Sequence, residues 1–283
     1  MHIGHTPFDD KEIRKFINDS LKSISIEEVE NFKHGDFDRT FRNWLESSTQ
    51  NKIDLSGFPY SSFVFASLSG WPEFLARHHS RRVRSSSDDF LMTKILAKNY
   101  NMNYLPLESE PLDKNDVLVI SHPFAGNGAV MPKLFDILDQ AEKLMIPTML
   151  DCAYFGIGHG FEYPLHYKCI TDCVFSLSKN FGTTHFRLGA RFTRDNRDDG
   201  LTCGLLSSDI YNKHGALLTC RLLDKFSHDW FINKWKDVSS ETAKELELID
   251  TNCVTLKTSN KPLPKFQRGN YVRVCISDEL SNK

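Results

Sequence analysis

The stretch "FSLSKNFGTTHFRLGARFTR", residues 175–194, joins the end of an apolar run to a set of polar side chains. The run ends in Ser176 and Ser178, and Lys179 follows directly. Arg187 stands eight residues after the lysine. A lysine in this position is either a surface residue at the end of a strand or an amine held inside a site to do chemistry.

The sequence around this stretch alternates between short apolar runs and amphipathic segments. The runs typical of strands are "SSFVFASL", "RRVRSSS", "MNYLPL", "DVLVIS", "IPTML" and "CVFSLS". Between them, "PEFLARHH", "DDFLMTKILAKNY" and "MPKLFDILDQAEKLM" have the pattern of helices. "DVLVIS" lacks polar–apolar alternation, as expected of a strand covered on both faces. This alternation of strands and helices predicts an α/β domain with a mainly parallel sheet.

The polarity and the hydrophobic periodicity of the sequence change twice, which predicts three segments. Residues 1–60 form a polar N-terminal segment with helical periodicity in "DDKEIRKFINDSLKSI" and "FDRTFRNWLESS". Residues 61–196 form the large α/β domain. Residues 197–283 combine helical segments with the strand-like runs "NCVTLKTS" and "NYVRVCIS", which predicts a smaller α+β domain.

The bulk composition is that of an ordinary soluble protein. The 283 residues are 40% hydrophobic and 25% charged, with a formal net charge of -2, so neither nucleic acid nor a membrane surface is expected as a partner. No leader pattern and no apolar run of roughly 18 residues is present, and we expect a cytoplasmic protein. Seven cysteines, an odd number, favour buried free thiols. Cys169 and Cys173 lack a second pair at ligand spacing, so no metal site is expected.

Polar residues follow the predicted strands, where ligands bind in an open α/β sheet. In chain order these residues and their neighbours are Ser69, Gly70, Trp71, His122, Asp151, Tyr154, Ser176, Ser178, Lys179 and Arg187. The set matches the needs of pyridoxal 5'-phosphate, which are an amine, a carboxylate, a hydrogen-bond donor and a phosphate site.

Each group of the cofactor has a candidate partner in this set. Lys179 is the amine for an internal aldimine, and Asp151 is the carboxylate that keeps the ring nitrogen protonated. Tyr154 is the donor to the ring oxygen. The phosphate is assigned to Ser176, Arg187 and the turn at residues 69–71, where Gly70 permits close approach of the backbone.

The segments "DCAYFG", "SLSKNFG" and "RLG" resemble the core motifs of the class I/II aminotransferases, which are fold-type I enzymes dependent on pyridoxal phosphate. The spacings Asp-x-x-Tyr, Ser-x-Ser-Lys and Lys-x7-Arg all agree with the family pattern. The resemblance covers roughly residues 61–194 and implies the same roles for Asp151, Tyr154, Ser176, Lys179 and Arg187. It also implies a homodimer, with the active site between the domains and at the subunit interface.

Two further residues take their roles from the resemblance. "NYVRVCIS" resembles the late strand whose arginine grips the substrate α-carboxylate, which assigns that role to Arg273. The aromatic ring stacked on the cofactor is assigned to Phe90.

The sequence also departs from the family pattern. His122 stands where the family has an asparagine that bonds the ring oxygen. The chain is shorter than typical members, which implies a trimmed small domain and N-terminal arm, and the tyrosine that the partner subunit sends to the phosphate is not located.

The sequence therefore favours an enzyme that acts on an amino acid, in the first place an aminotransferase. Two alternatives stay open. The same residues serve a lyase, decarboxylase, racemase or cyclase of a specialised biosynthetic pathway, because substrate contacts decide which Cα bond breaks. A non-catalytic homologue that acts as a partner subunit is the other alternative.

Overall fold

The larger of the two sheets has seven strands, and the structure, a computed structural model, describes residues 8–202 and 209–283. In chain order the strands are β1 (Tyr60–Val64), β2 (Arg82–Ser85), β3 (Tyr104–Pro106), β4 (Asp116–Ser121), β5 (Thr148–Cys152), β6 (Ile170–Ser176) and β7 (Gly189–Thr193). They lie in the order β1-β7-β6-β5-β4-β2-β3.

All of these strands except β7 point the same way. β7 pairs antiparallel with both β1 and β6, whereas the pairings among β2, β3, β4, β5 and β6 are parallel. The carboxyl ends of β1, β4, β5 and β6 therefore meet at one edge of the sheet. The register places Ser121 beside Asp151, and Cys152 beside Phe175. The predicted mainly parallel α/β sheet is confirmed.

Helices cover both faces of this sheet. The helices that the structure bounds are α1 (Lys11–Ser23), α2 (Ile26–Asn31), α3 (His34–Glu46), α4 (Gly70–Arg77), α5 (Met92–Asn99), α6 (Leu134–Lys143), α7 (Lys213–Lys225), α8 (Trp230–Glu245) and α9 (Ser277–Ser281). In β4, Val117 and Val119 belong to the core beneath α4 and α5, whereas Leu118 and Ile120 belong to the core shared with α3, α6 and α7. Apolar residues therefore follow one another along β4 because both of its faces are buried.

A second, three-stranded antiparallel sheet lies in the C-terminal part of the chain. Its strands are β8 (Leu256–Thr258), β9 (Gln267–Arg268) and β10 (Tyr271–Cys275), in the order β8-β10-β9. Leu256 and Val274 form an apolar cluster with Phe231 of α8 and with Phe8 near the N-terminus. The N-terminal helices α1, α2 and α3 pack against α7. The predicted division at residues 60 and 196 stays a prediction.

The structure differs from the predicted elements at the two ends of the central stretch. The first apolar run, "SSFVFASL" at residues 61–68, is a strand only as far as Val64, and Ala66 beyond it has a φ of 60°, outside the extended conformation. The strand β7 was not predicted, although it occupies "GARFT" within the opening stretch.

Two other expectations concern the cysteines and membrane spans. The six described cysteines are buried and free, and Cys203 lies outside the described residues. Within the described parts of the chain, every helix is too short or too polar to cross a bilayer.

Candidate active site

A cavity of about 260 Å³ opens at the edge where the strands β1, β4, β5 and β6 end. The wall contains eight of the predicted residues, namely Phe90, Asp151, Tyr154, Ser176, Ser178, Lys179, Arg187 and Arg273. They come from five separate parts of the chain. The ends of the parallel strands β5 and β6 supply five of them, whereas Phe90 follows β2, Arg187 precedes β7, and Arg273 comes from β10 of the second sheet.

Lys179 follows β6 by three residues, and its amine faces this cavity. Its Nζ atom lies 6.0 Å from the centre of the Tyr154 ring. Among the residues that the structure describes, no carboxylate lies within 4.0 Å of this amine. Burial lowers the pKa of Lys179 to about 8, and the neighbouring Arg273 and Arg187 contribute in the same direction. Roughly a fifth of this amine is therefore neutral near physiological pH, far more than for an ordinary lysine, and the neutral form is the nucleophile.

Asp151 is the penultimate residue of β5, paired with Ser121 of β4, and its side chain is buried in the same wall. Burial raises its pKa to about 7, and the negative charge of Asp89 adds to the rise. Hydrogen bonds from the Ser67 side chain and the Ala153 N–H oppose this effect. A cation bound against Asp151 would favour the ionised carboxylate, so the position suits a positively charged ligand group.

Tyr154 and Arg273 also line the cavity. Arg273 is 1% exposed, and its Nη1 atom donates to the Ala125 carbonyl and lies 3.4 Å from the Tyr154 hydroxyl. Burial raises the pKa of Tyr154, which keeps the phenol protonated and able to donate a hydrogen bond. A buried phenol and guanidinium thus stand side by side at the cavity.

Hydroxyl groups and one guanidinium cluster at the end of β6. Ser176 Oγ donates to Ser178 Oγ over 3.1 Å, and Thr184 Oγ1 donates to the Ser178 carbonyl over 3.5 Å. Arg187 reaches the Phe65 carbonyl with one Nη2 contact of 3.3 Å. Its backbone has a φ of 56°, in the left-handed region. These donors suit an anion with several oxygens, such as a phosphate.

The turn after β1 meets the cavity through different residues from those predicted. Ala66 and Ser67 line the wall, whereas Ser69, Gly70 and Trp71 do not. Gly70 is needed for packing, because an added Cβ would lie 2.7 Å from the Val174 side chain. Trp71 is 1% exposed and packs edge-on against Phe90, with the ring centres 6.0 Å apart.

His122 lies behind the wall instead of in it. Its ring packs against Phe161 and Tyr163, with centre-to-centre distances of 5.3 Å and 4.9 Å. Burial lowers its pKa to about 4, so the ring is neutral at physiological pH. The same segment faces the cavity through Pro123 and Ala125.

Four polar residues of the wall were missed by the sequence reasoning: Ser67, Ser121, Thr184 and Arg268. Ser121 is the last residue of "DVLVIS", and its position at a strand end could have indicated it. Its N–H and hydroxyl both donate to the buried carboxylate of Asp89. Arg268 could have been found from the turn "GN" that follows it, because such a dipeptide predicts a hairpin with the strand of Arg273.

Comparisons with known proteins agree with this architecture. No protein-family model matches the sequence, and no curated protein is significantly similar to it. Among solved structures, an aminotransferase from Staphylococcus aureus aligns with a TM-score of 0.69 and 14% identity over 100% of this chain and 91% of its own. An aromatic aminotransferase from Pyrococcus horikoshii aligns with a TM-score of 0.68 and 14% identity over 99% of this chain and 91% of its own.

A third similar structure belongs to an enzyme with a different reaction. The pyridoxal phosphate-bound C–S lyase from Staphylococcus hominis aligns with a TM-score of 0.68 and 12% identity over 96% of this chain and 87% of its own. At these identities the likeness establishes the fold. The chain therefore has the fold that the sequence resemblance implied, that of the aminotransferases and related enzymes.

Proposed function

We propose that this protein is a pyridoxal phosphate-dependent enzyme that acts on an amino acid, in the first place as an aminotransferase. One observation carries the proposal. The amine of Lys179, which forms no ion pair with a described residue, faces the same cavity as the buried carboxylate of Asp151. A lysine and a carboxylate on one cavity wall are the two partners that the aldehyde and the ring nitrogen of this cofactor need.

The chemistry of the donor set fits the whole cofactor. Lys179 Nζ would bond to the aldehyde carbon, Asp151 would face the ring nitrogen, and Tyr154 would donate to the ring oxygen. At the end of β6, Ser176 and Arg187 would hold the phosphate, together with Ser178, Thr184 and Ser67. Phe90 offers an aromatic face beside the ring site. When bound, pyridoxal phosphate supplies an electron sink for the charge left on the substrate Cα when one of its bonds breaks.

Two residues of the chain would act directly on the substrate. The Arg273 guanidinium would bind the α-carboxylate, because it is buried at the wall and can present two parallel N–H donors. Lys179 Nζ would accept the proton from the substrate Cα and later return a proton within the cavity. Its pKa of about 8 suits both directions of transfer near neutral pH.

The turn from Pro123 to Ala125 limits the ring contacts. It brings only a methyl group and a proline ring to the wall, while His122 packs behind it. We therefore assign the ring oxygen to Tyr154 alone among these residues, and we give His122 a packing role.

A screen of amino acids against the cofactor-loaded enzyme would test the reaction type. An aminotransferase should convert the bound cofactor to its amine form with one class of amino acid, and added keto acids should reverse the change. Absorbance spectra and mass spectrometry of the released product would follow both steps. Release of ammonia or a thiol with the cofactor unchanged would instead support a lyase.

The lyase is the second candidate because one of the similar structures is a C–S lyase. Both reactions begin with the same proton removal by the lysine amine, so the cavity alone favours neither. A protein that fails to retain pyridoxal phosphate at all would support the non-catalytic alternative. The homodimer and the cytoplasmic location remain predictions.

Loading of the cofactor-free protein with pyridoxal phosphate should accelerate as pH rises and should level off above pH 8. Only the neutral amine attacks an aldehyde, and the lowered pKa of Lys179, about 8, sets the midpoint. Below that pH the rate should rise about tenfold per pH unit, since the neutral fraction rises by that factor. The growth of visible absorbance after mixing would measure the rate.

The matched control for this experiment is the same reaction with Nα-acetyl-lysine, whose pKa is about 10.4. Its rate should continue to rise to pH 10. A protein rate that also rises tenfold between pH 8 and pH 9 would show that the Lys179 amine is not perturbed.

A further inference from the structure

A second buried carboxylate lies close to that of Asp151. Asp89, in the loop between β2 and α5, is 8% exposed, and its Oδ1 atom accepts a hydrogen bond from the Ser121 hydroxyl over 2.6 Å. Ser121 of β4 is the parallel register partner of Asp151 in β5, and both line the active-site cavity. Neighbouring strands lie about 4.7 to 4.9 Å apart. Asp89 and Asp151 are therefore both neighbours of one serine at the edge of the sheet.

The hydrogen bonds of Asp89 are those of an ionised carboxylate. Its Oδ1 atom also accepts from the Phe90 N–H over 2.7 Å, and its Oδ2 atom accepts from the Ser121 N–H over 3.1 Å. A backbone N–H can only donate, so both oxygens of Asp89 must accept. The Ser121 hydroxyl in turn accepts from the Ala125 N–H over 2.8 Å and directs its own proton to Asp89. Three donors thus stabilise a negative charge on Asp89.

This charge is not neutralised by an ion pair. Burial raises the pKa of Asp89, and the hydrogen bonds described above, together with the charge of Arg268, oppose the rise. Arg268 of β9 donates from Nη2 to the Asp89 carbonyl over 3.4 Å, and Lys94 of α5 and Tyr104 of β3 line a second cavity with Asp89. Within the described residues, no lysine, arginine or histidine nitrogen lies within 4.0 Å of the carboxylate of Asp89 or Asp151.

Asp151 is the member of this pair that faces the active-site cavity. Asp89 does not line that cavity, and its negative charge disfavours the ionised form of Asp151. The positive charge of Lys179 acts on Asp151 in the opposite direction. In the empty cavity Asp151 therefore takes up a proton before Asp89 does. A cation placed against Asp151 would be attracted by both carboxylates, and their mutual repulsion would be offset.

We infer that Asp89 is a positioning residue that acts through Asp151, because its fixed negative charge strengthens the hold of Asp151 on the protonated ring nitrogen of the cofactor. The inference rests on the proposed function, in which Asp151 faces that nitrogen. Two negative charges on one side of the ring favour its protonated form more than one charge does, since the two attractions add.

Binding of pyridoxine 5'-phosphate tests this role without turnover, because this ligand has no aldehyde and forms no bond to Lys179. With ¹⁵N in the ring, the NMR shift of the bound ligand reports whether the ring nitrogen carries a proton. Asp89→Asn should lower the pH midpoint for loss of that proton by roughly one to two pH units. This size is expected for unit charges about 7 Å apart at an effective dielectric constant of about 20. An unchanged midpoint in the folded variant would overturn the inference.

Two further variants separate the charge of Asp89 from its structural part. Ser121→Ala removes the hydroxyl that donates to Asp89 but keeps both carboxylates, so its midpoint should stay closer to that of the wild type than to that of Asp89→Asn. Equal shifts in these two variants would show that Asp89 only holds the turn, and would overturn the inference. Asp116→Asn is the matched control, because Asp116 is a buried carboxylate at the other end of β4, paired with Arg84 over 2.7 Å. It should leave the midpoint unchanged.

Carboxyl ¹³C NMR of the cofactor-free wild type keeps the inference testable if Asp89→Asn does not fold. At pH 6 the Asp151 carboxyl should be mostly protonated, because its pKa is about 7, and the Asp89 carboxyl should be ionised. The spectrum of Asp151→Asn would assign the two signals. A protonated Asp89 beside an ionised Asp151 would contradict the inference.

The outcomes distinguish this inference from the proposed function. Borohydride labelling of Lys179 by pyridoxal phosphate, with an unchanged midpoint in Asp89→Asn, would reject the role of Asp89 alone. Absence of that labelling, with no binding of pyridoxine 5'-phosphate by the wild type, would reject the proposed function, and the carboxyl titration would still measure the charge of Asp89.

Discussion

Replacing Lys179 with alanine is expected to reduce turnover of the amino-acid substrate by roughly 10⁴-fold or more. The substitution removes the only cavity-facing amine among the described residues, and with it both the bond to the cofactor and the proton acceptor for the substrate Cα. General acid–base catalysis alone is worth about 10² to 10⁴-fold, and the covalent attachment adds to that. Steady-state and single-turnover rates would measure the loss.

A second readout tests the attachment directly. Borohydride treatment of the loaded wild type, followed by peptide mapping, should place a pyridoxyl group on Lys179. The buried Lys257 is the internal control, because its amine is paired with Asp250 at 2.5 Å and should stay unlabelled. Lys179→Arg should be as inactive as Lys179→Ala, since a guanidinium keeps the charge but does not lose its proton. Undiminished turnover in either variant would contradict the proposed mechanism.

Replacing Asp151 with asparagine is expected to lower turnover by roughly 10² to 10³-fold, the range seen when one preorganised electrostatic partner is removed. The amide has the same shape but cannot hold a positive charge on the ring nitrogen. The variant should still form the bond at Lys179, so borohydride labelling should persist. Labelling with a large loss of rate would separate the role of Asp151 from that of Lys179.

The same variant should change the pH dependence of stability in the cofactor-free protein. The folded-state pKa of Asp151, about 7, is raised above its ordinary value, so the folded protein binds the proton more tightly than the unfolded chain. This contribution is fully present below pH 4 and is lost as pH rises to 7. The wild type should therefore lose stability relative to Asp151→Asn across that window, by an amount on the order of 4 kcal/mol.

Denaturant unfolding at pH 4.5 and pH 8 would measure this difference. Asp151→Glu is a useful comparison, because it retains the ionisable group in a longer side chain. If the difference in stability between wild type and Asp151→Asn is the same at both pH values, Asp151 is not perturbed in the folded protein.

Many residues of the candidate site could be predicted from the sequence, because they lie at or just after the ends of strands. In a mainly parallel sheet, a polar residue just after an apolar run lies at the ligand edge whatever the details of packing. This rule predicted Asp151, Ser176 and Lys179, and the spacing of the family motifs added Tyr154 and Arg187; all five line the cavity, and their roles stay predictions. Arg273 was found from the pattern of a late strand.

Which loop residues face the cavity could not be predicted in the same way. The turn after β1 was predicted to use Ser69 and Gly70, but the φ of 60° at Ala66 ends the strand early and brings Ser67 to the cavity. His122 was predicted at the ring oxygen, but its side chain packs beside Phe161 and Tyr163. At the first turn one backbone torsion, that of Ala66, goes with the change of residue at the cavity, and at the second the His122 ring is taken up by aromatic packing; residue type alone fixes neither.

The sequence by itself determined the two-faced apolar strands, the alternation with helices, and the order in which an acid, a phenol and an amine appear along the chain. Those features are local, since they follow from periodicity and from the residues next to each strand. Only the tertiary structure decided that Asp89 lies near Asp151, that Arg273 of the second sheet reaches the cavity at the edge of the first, and that β7 runs antiparallel to β1 and β6. These relations join residues far apart in sequence, and they depend on how the chain packs rather than on any local pattern.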